Sequence, residues 1–538
     1  MPLLFAHFFQ LRIIFPACML LVSTGPSITM AAVKIDSGLI EGLSTDSAGV
    51  RAFKGIPFAA PPVGDLRWKA PQPVSPWEGV RQAMEFGPRP MQGPIYSDMV
   101  FRDPGPSEDC LTLNVWTAAK TEKERLPVMV WIYGGGLKAG GTSEPRQDGA
   151  ILARKGVVVV SMNYRLGLFG FFAHPELAAE NKDSATGNYG FMDQIAALQW
   201  VQRNIAAFGG DPHTVTIFGE SSGSDSVYML MCSPLAKGLF HRAIGQSGSY
   251  AHPAANKVSK AQSRLTGEER SITFVSVLGA KSMKELRGKS ADELLKVALA
   301  HPEFRVVVDG AVLREDTNAT FAAGRQNDVP LIAGWTADES RVYETFGNKR
   351  PTKEGFRIKE QQRYGENARA VLRLYPANTD EEAVRSAGDL VNDTGTIFET
   401  WKWLQLQIAT GRSPVYHYIF DRVAPIEPGR EINGAPATAN DVGAVHASDI
   451  PYTFSAFDHT PTVPWQPEDR AVSDLMMTYW SNFAKTGNPN SPGMPEWPRY
   501  ESKTQFAVMH LDEKPHAAPE VHRDRYEFFD AHGMGERN

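Results

Sequence analysis

The sequence predicts an α/β fold with a mostly parallel central sheet flanked by helices. The first observation is a set of continuous apolar runs rich in β-branched residues, which is typical of parallel strands covered on both faces. The second is that segments of helical length separate these runs, as right-handed crossover connections require. The predicted strands are 126–133, 156–164, 214–219 and 328–335.

Helical segments are predicted between and beyond these strands. Residues 190–210, GFMDQIAALQWVQRNIAAFGG, repeat apolar side chains at helical spacing and end at a glycine pair. The range of about 255–440 mixes helical segments with loops, and one helix is expected to begin after Ser290 as its N-cap. We therefore expect a single domain over 33–538 with helical lid insertions at about 255–440.

The composition restricts the class of protein and of partner. Hydrophobic residues make up 42% of the 538 residues and charged residues 22%, which is enough apolar content for a packed core. The formal net charge of −6 argues against a nucleic-acid partner, because such a partner requires a basic surface to neutralise its phosphates.

The N-terminal segment 1–31 has the pattern of a secretory signal peptide. Arg12 precedes the apolar run IIFPACMLLV, and small residues follow as far as a cleavage site near Ala31 or Ala32. The run is too short to span a bilayer and contains Pro16, so we expect no stable membrane insertion after signal removal. The expected location is secreted or periplasmic, or cytoplasmic if the start codon is mis-assigned.

Beyond this segment, the sequence contains only two cysteines, Cys110 and Cys232. They allow at most one disulfide, so no disulfide framework supports the fold. Neither has a neighbouring Cys or His at ligand spacing, and we expect no metal site there.

The stretch TIFGESSGSDSV, residues 216–227, contains the pattern G-x-S-x-G after a predicted strand. In the nucleophile elbow of α/β hydrolases, this serine lies on a strained turn that exposes its hydroxyl at the carboxyl edge of the sheet. The turn tolerates little bulk two residues before and after the nucleophile. Ser221 has Gly219 and Gly223 at those places, whereas the neighbouring serines do not. The pattern therefore favours Ser221 and an α/β-hydrolase fold.

Backbone N–H groups for a developing oxyanion are expected at two places. The N–H of Ser222 begins the helix after the elbow, where the helix dipole favours negative charge. The segment 131–141, WIYGGGLKAGG, is a strand that ends in three glycines, whose main chain can approach a tetrahedral intermediate closely. The alternative interpretation of these glycines is a flexible turn.

A serine nucleophile requires a base and an acid that orients the base. In α/β hydrolases the order along the chain is serine, acid, histidine. Asp338 and Glu339 both follow a predicted strand and are alternative acids. His446 follows the next predicted strand, whereas His417 lies inside that strand and is expected to be structural. Order and spacing thus favour His446 as the base.

Eight blocks of sequence carry a family resemblance. They occupy 53–68, 107–116, 128–136, 163–171, 187–194, 208–221, 245–249 and 483–490. In this order they resemble the type-B carboxylesterase family, which includes cholinesterases and, most similar, bacterial para-nitrobenzyl esterases. The resemblance extends over about residues 33–510.

The resemblance implies roles for the candidate residues. Ser221 matches the family nucleophile, Glu339 the triad acid and His446 the base. The matching oxyanion-hole and supporting positions are Gly135, Gly136, Ser222 and, as a helper of the acid, Ser247. The implied activity is hydrolysis of small to medium alkyl or aryl esters through an acyl-enzyme intermediate, with no cofactor or metal.

Two other functions remain open at this point. A catalytically silent, cholinesterase-like binding or adhesion protein would have the same fold, although such proteins typically lack a triad residue. An amidase or thioesterase could use the same triad. The sequence leaves the natural substrate and the oligomeric state open.

Several residues depart from the family pattern. Arg89 stands near the place of a cysteine that often pairs with the one at Cys110, so Cys110 should be unpaired. The segment 94–106 contains no tryptophan, which argues against choline recognition by a cation–π contact there. Leu137 replaces an aromatic residue. Ser222 and Asp225 replace small apolar residues, and we expect Asp225 to be hydrogen-bonded or to line a polar pocket.

Overall fold

The computed structural model of the protein describes residues 32–47, 49–181, 185–254, 262–301, 304–340, 350–432 and 435–534. The segment 1–31, for which the sequence predicts a signal peptide, lies outside the described residues.

A mixed sheet forms the centre of the fold and contains 11 strands among the described residues. In chain order they are β1 (Leu43–Ser44), β2 (Arg51–Pro57), β3 (Thr112–Thr117), β4 (Leu126–Ile132), β5 (Val158–Met162), β6 (Gly210–Glu220), β7 (Arg242–Gln246), β8 (Leu331–Thr336), β9 (Val415–Phe420), β10 (Ala507–Leu511) and β11 (His516–Pro519).

The strands follow the spatial order β11-β10-β9-β8-β7-β6-β4-β5-β3-β2-β1. The run from β10 to β5 is parallel throughout. Strands β1, β2 and β3 at one edge, and β11 at the other, join in antiparallel pairs. The predicted mostly parallel sheet is therefore confirmed. The carboxyl ends of its parallel strands meet at one edge, which is where such sheets place their sites.

Helices flank this sheet. In chain order they are α1 (Ala150–Ala153), α2 (Gly167–Phe171), α3 (Pro175–Glu180), α4 (Tyr189–Asn204), α5 (Ser222–Cys232), α6 (Arg264–Val277), α7 (Met283–Arg287), α8 (Ala291–Ala300), α9 (Thr317–Ala322), α10 (Lys353–Tyr364), α11 (Ala368–Leu374), α12 (Asp380–Asn392), α13 (Phe398–Thr410), α14 (Ala439–Val442), α15 (Ile450–Phe454), α16 (Pro467–Thr486) and α17 (Arg523–His532).

Helices α4, α5 and α16 pack against the central strand β6, and α5 and α16 also contact β4. Both strands are fully covered: Val128 to Ile132 of β4 and Val215 to Phe218 of β6 are 0% exposed. This double coverage explains why the sequence shows continuous apolar runs at these strands instead of an alternating pattern.

The range 255–440 contains most of the additional helices, but β8 and β9 of the central sheet also pass through it. Its helical material therefore falls into one stretch before β8 and another between β8 and β9. Helix α8 begins after Ser290, whose hydroxyl accepts the N–H of Glu293 at 3.2 Å, as the sequence predicts. In the described ranges, every helix is too short or too polar to cross a membrane.

Candidate active site

Ser221 lies on a sharp turn between the end of β6 and the start of α5. Its backbone has φ 56° and ψ −127°, a conformation that L-residues rarely adopt. Its N–H donates to the carbonyl of Gln246 at 2.8 Å, which anchors the turn to the adjacent strand β7. This is the strained strand–turn–helix geometry that the G-x-S-x-G pattern predicts.

The two flanking glycines are required by close packing. A Cβ on Gly219 would lie 2.6 Å from the carbonyl carbon of Gly223. A Cβ on Gly223 would lie 2.0 Å from the carbonyl oxygen of Ile132, at the end of β4. Any side chain at either place would push the turn away from the neighbouring strand.

The structure brings Ser221, His446 and Glu339 into one chain of hydrogen bonds. His446 Nε2 lies 2.9 Å from Ser221 Oγ. Its other ring nitrogen, Nδ1, lies 2.5 Å from Glu339 Oε2. An Nδ1–H that donates to the carboxylate leaves Nε2 free to accept the serine proton. The remaining carboxylate oxygen, Oε1, accepts the N–H of Thr336 at 2.8 Å, which fixes the acid to the end of β8.

The alternative acid and base from the sequence have structural positions instead. Asp338 joins two loops: its N–H donates to the carbonyl of Ala444 at 2.9 Å, and its Oδ2 accepts the N–H of Ala444 at 3.0 Å. It thereby holds the segment that leads to His446. His417 lies inside β9, is fully buried, and its Nδ1 is 2.9 Å from the carbonyl oxygen of Ala333. Burial lowers the pKa of His417 to about 3, so this ring is neutral.

The glycine loop 134–136 passes directly beside the elbow. A Cβ on Gly134 would lie 2.9 Å from the Cβ of Ser221. Gly135 and Gly136 have φ 108° and 66°, and their N–H groups make no hydrogen bond within the described part of the chain. The N–H of Ser222 belongs to the first turn of α5, where a helix leaves its N–H groups without internal partners. These three groups are therefore available to a negatively charged oxygen near Ser221.

A serine at position 222 adds a contact that alanine could not make. Its Oγ accepts the backbone N–H of Leu137 at 3.0 Å, and its side chain is buried. The carbonyl of Leu137 in turn accepts the N–H of Gly167 at 2.8 Å. The hydroxyl of Ser222 thus fastens the glycine loop to the elbow.

Three buried carboxylates set the charge of the site. Burial raises the pKa of Glu339, but the attraction and hydrogen bond of His446 outweigh it and hold that pKa below its usual value. Burial raises the pKa of Glu220 to about 8, assisted by the charges of Asp449 and Glu339. Glu220 Oε1 lies 3.3 Å from His446 Nε2. Burial lowers the pKa of His446, but these carboxylates outweigh that effect and raise it.

Asp449 is the most deeply placed of these acids. It is 0% exposed, and its Oδ2 accepts the side-chain N–H of Gln246 at 2.8 Å and the hydroxyl of Tyr418 at 3.2 Å. Burial raises the pKa of Asp449 to about 6. The sequence patterns singled out neither Asp449 nor Glu220 as a site residue. The one available signal was an acid inside the motif, next to the nucleophile.

Ser247, expected to support the acid, follows β7 with φ 56°. Its N–H donates to the carbonyl of Gly334 at 2.8 Å, and its hydroxyl lies close enough to Glu339 to lower the pKa of that carboxyl. The hydroxyl is buried and makes no hydrogen bond of ordinary geometry within the described residues.

The structure also shows where the residues lie at which the sequence departs from the family pattern. Cys110 and Cys232 are both free and buried, which confirms that Cys110 is unpaired. Tyr96 and Met99, from the segment without tryptophan, face the glycine loop: a Cβ on Gly136 would lie 3.2 Å from the hydroxyl of Tyr96. No signal in the sequence indicated either contact.

Asp225 is partly buried in the first turn of α5. Its Oδ1 would lie 3.0 Å from a Cβ on Gly248, and its charge adds to burial in raising the pKa of Tyr250. The carboxylate therefore faces the segment that follows Ser247. Across the described ranges, no group of three His, Cys, Asp or Glu residues is arranged to hold a metal ion.

Comparison with known proteins identifies the family. Residues 29–529 match the model of the carboxylesterase family. The fumonisin B1 esterase of Sphingopyxis macrogoltabida is 37% identical, over 87% of this chain and 84% of its own length. The para-nitrobenzyl esterase of Bacillus subtilis (strain 168) is 35% identical, over 89% of this chain and 95% of its own. A solved PNB esterase superposes with a TM-score of 0.76 at 32% identity, covering 92% of this chain and 98% of that one. The chain therefore belongs to the carboxylesterase family and is a carboxylic ester hydrolase with the α/β-hydrolase fold.

Proposed function

We propose that this ester hydrolase uses Ser221 as nucleophile, His446 as general base and Glu339 as the acid that orients the base. The observation that supports these roles is the continuous chain Ser221 Oγ, His446 Nε2, His446 Nδ1 and Glu339 Oε2, with separations of 2.9 and 2.5 Å. It begins on a strained turn beside unengaged backbone N–H groups. Nucleophile, base and orienting acid are thus within the distances that acyl transfer requires.

In the first step, Ser221 Oγ forms a bond to the ester carbonyl carbon while its proton passes to His446 Nε2. The carbonyl oxygen becomes an oxyanion, which the N–H groups of Gly135, Gly136 and Ser222 stabilise. The bond to the alcohol oxygen then breaks, and His446 returns the proton to that oxygen. The products of this step are the free alcohol and an acyl group on Ser221.

In the second step, His446 takes a proton from a water molecule, which attacks the acyl carbon. The same N–H groups stabilise the second oxyanion. The bond to Ser221 Oγ breaks, the proton returns to Ser221, and the carboxylic acid leaves. The charge of Glu339 stabilises the imidazolium formed in both steps.

Small to medium alkyl or aryl esters are the proposed substrates. The names of the relatives, a fumonisin B1 esterase and a para-nitrobenzyl esterase, support an ester substrate. We also propose that the segment 1–31 directs export and that 33–538 folds as a single domain. The pattern of Arg12 and the apolar run supports export, and N-terminal sequencing of protein from the cell envelope and the medium would test it.

The test is turnover of para-nitrophenyl butyrate by the wild-type protein and by two serine variants. Ser221→Ala should lose about 10⁴-fold or more in kcat, because removing the nucleophile disables the whole triad. Ser226→Ala is the matched control: its hydroxyl lies in the same helix and donates to the carbonyl of Ser222 at 2.9 Å, so it should retain turnover. An organophosphate should label wild type and Ser226→Ala once, at Ser221.

The same assay separates the alternative activities. Matched butyryl ester, thioester and anilide substrates should be hydrolysed with the ester preferred. Labelling at another serine, or full activity of Ser221→Ala, would contradict the assignment. A clear preference for the anilide or the thioester would show that amides or thioesters, and not esters, are the substrate class. The assignment of the triad would stand.

A further inference from the structure

Lys138 lies two residues beyond Gly136, the last residue of the glycine loop, and lines an apolar pocket. Its side chain is exposed, and its N–H donates to the carbonyl of Gly135 at 3.1 Å. The other lining residues come from the segment after β2, from α2 and its entry, and from α8. They include Ile95, Leu168, Phe169, Leu295 and Leu299.

Lys138 is the one charged residue among the described residues that line this pocket. The described lining residues include no carboxylate, and no acid, hydrogen-bond acceptor or aromatic ring in the described ranges pairs with the side chain of Lys138. An ammonium group offers three donors and attracts anions more strongly beside an apolar wall than in open water. The pocket thus combines an apolar wall with an unpaired cation.

One residue of the pocket lining, Lys138, is close to the proposed oxyanion donors. Lys138 is two residues beyond Gly136, so their Cα atoms are separated by at most about 7–8 Å. The pocket volume is about 50 Å³, well below the roughly 300–1,000 Å³ of pockets that enclose a drug-sized ligand. It can therefore receive the end of a substrate chain but not a whole ligand.

We propose that Lys138 binds a carboxylate that the ester substrate carries a few bonds from its scissile carbonyl, with the adjoining aliphatic chain against the apolar wall. The preferred substrates are then anionic esters: half-esters of dicarboxylic acids, or esters of hydroxy acids. This inference depends on the proposed function, because it places the carbonyl oxygen at the N–H groups of Gly135 and Gly136.

The test compares substrates that differ only in charge. On the acyl side, monoethyl glutarate is compared with its neutral counterpart, the ethyl ester of glutaramic acid. On the alcohol side, the butyrate ester of γ-hydroxybutyrate is compared with that of its amide. We expect kcat/KM, measured by acid release in a pH-stat, to favour the carboxylate member of one pair by about tenfold at low salt.

Lys138→Met retains the length of the side chain and removes its charge, so it should reduce this preference by about tenfold. Lys296→Met is the matched control, because Lys296 lies exposed on α8 but does not line the pocket. It changes the net charge equally and should leave the preference unaltered. In the wild type, glutarate should also inhibit para-nitrophenyl butyrate hydrolysis more strongly than glutaramide does.

The outcomes separate the two proposals. If neither neutral nor charged esters are hydrolysed, the proposed function fails. If neutral esters are hydrolysed but neither pair shows a carboxylate preference, or if Lys138→Met retains it, the inference about Lys138 is wrong and the triad stands. Equal inhibition by glutarate and glutaramide overturns it independently of any variant.

Discussion

Replacing Ser222 with alanine tests whether its hydroxyl holds the glycine loop in place. Its Oγ accepts the N–H of Leu137 at 3.0 Å, and the two residues are 3% and 6% exposed. Alanine removes this acceptor while keeping the Cβ, and a buried N–H without an acceptor costs about 1–3 kcal/mol. Because Leu137 directly follows Gly135 and Gly136, a loop that shifts to recover a partner also displaces their N–H groups.

We expect Ser222→Ala to lower kcat by roughly 10–30-fold. Loss of a whole oxyanion donor costs about 2.7–4 kcal/mol, so halving the contribution of one donor costs about 1.4–2 kcal/mol. KM should change by less than about threefold, because these N–H groups act mainly on the transition state. The assay is steady-state hydrolysis of para-nitrophenyl butyrate together with thermal unfolding.

Ser226→Ala is the control for this prediction. Its hydroxyl donates to the carbonyl of Ser222 at 2.9 Å and accepts the side-chain N–H of Gln194 at 3.0 Å, but it does not touch the glycine loop. Ser226→Ala should lower Tm and leave kcat within about twofold of the wild-type value. Unchanged kcat and Tm in Ser222→Ala would refute the reasoning, since the Leu137 contact would then contribute nothing.

Two further predictions concern the charge and the shape of the site. Glu220→Gln removes a carboxylate that lies 3.3 Å from His446 Nε2, and this should lower the raised pKa of His446. Because the proposed base acts only when it is neutral, the acid limb of the kcat/KM pH profile should then move to lower pH by about one unit. A limb that stays in place or moves to higher pH would exclude this coupling. Gly223→Ala would bring a Cβ to 2.0 Å from the carbonyl oxygen of Ile132, so activity should fall by about 100-fold or more and Tm should drop. Gly288→Ala is the control: Gly288 has φ −74°, and the nearest atom to an added Cβ is 3.3 Å away, so activity and Tm should both be unchanged. An active Gly223→Ala variant would show that the turn can shift at little cost.

The sequence was most informative where one local rule determines a structure. Continuous apolar runs predicted β4, β5, β6 and β8 because strands covered on both faces need no polar side chains. The elbow was equally predictable, because only a residue without a side chain fits at Gly219 and Gly223. These constraints act over a few residues and are therefore visible in one sequence.

Contacts between distant segments were not predictable in the same way. The residues alone left Asp338 and Glu339 as equal candidates, and the family resemblance favoured Glu339. The structure separates them physically, because Asp338 is engaged by the backbone of Ala444 while Glu339 faces His446. The packing of Tyr96 beside the site likewise depends on a loop more than 100 residues from His446 in the sequence. Asp449 belongs to a buried polar pair with Gln246, and such pairs leave no periodic pattern.

The most direct test of the central claim is a double-variant cycle on the triad. Ser221→Ala, His446→Ala and the double variant are compared in kcat for para-nitrophenyl butyrate. In the proposed mechanism the serine and the imidazole act as one unit across the 2.9 Å contact, so each single variant should lose about 10⁴-fold or more, and the double variant should lose no more than the worse single one. A double variant whose loss equals the product of the two single losses would show that Ser221 and His446 act independently, and would contradict the mechanism.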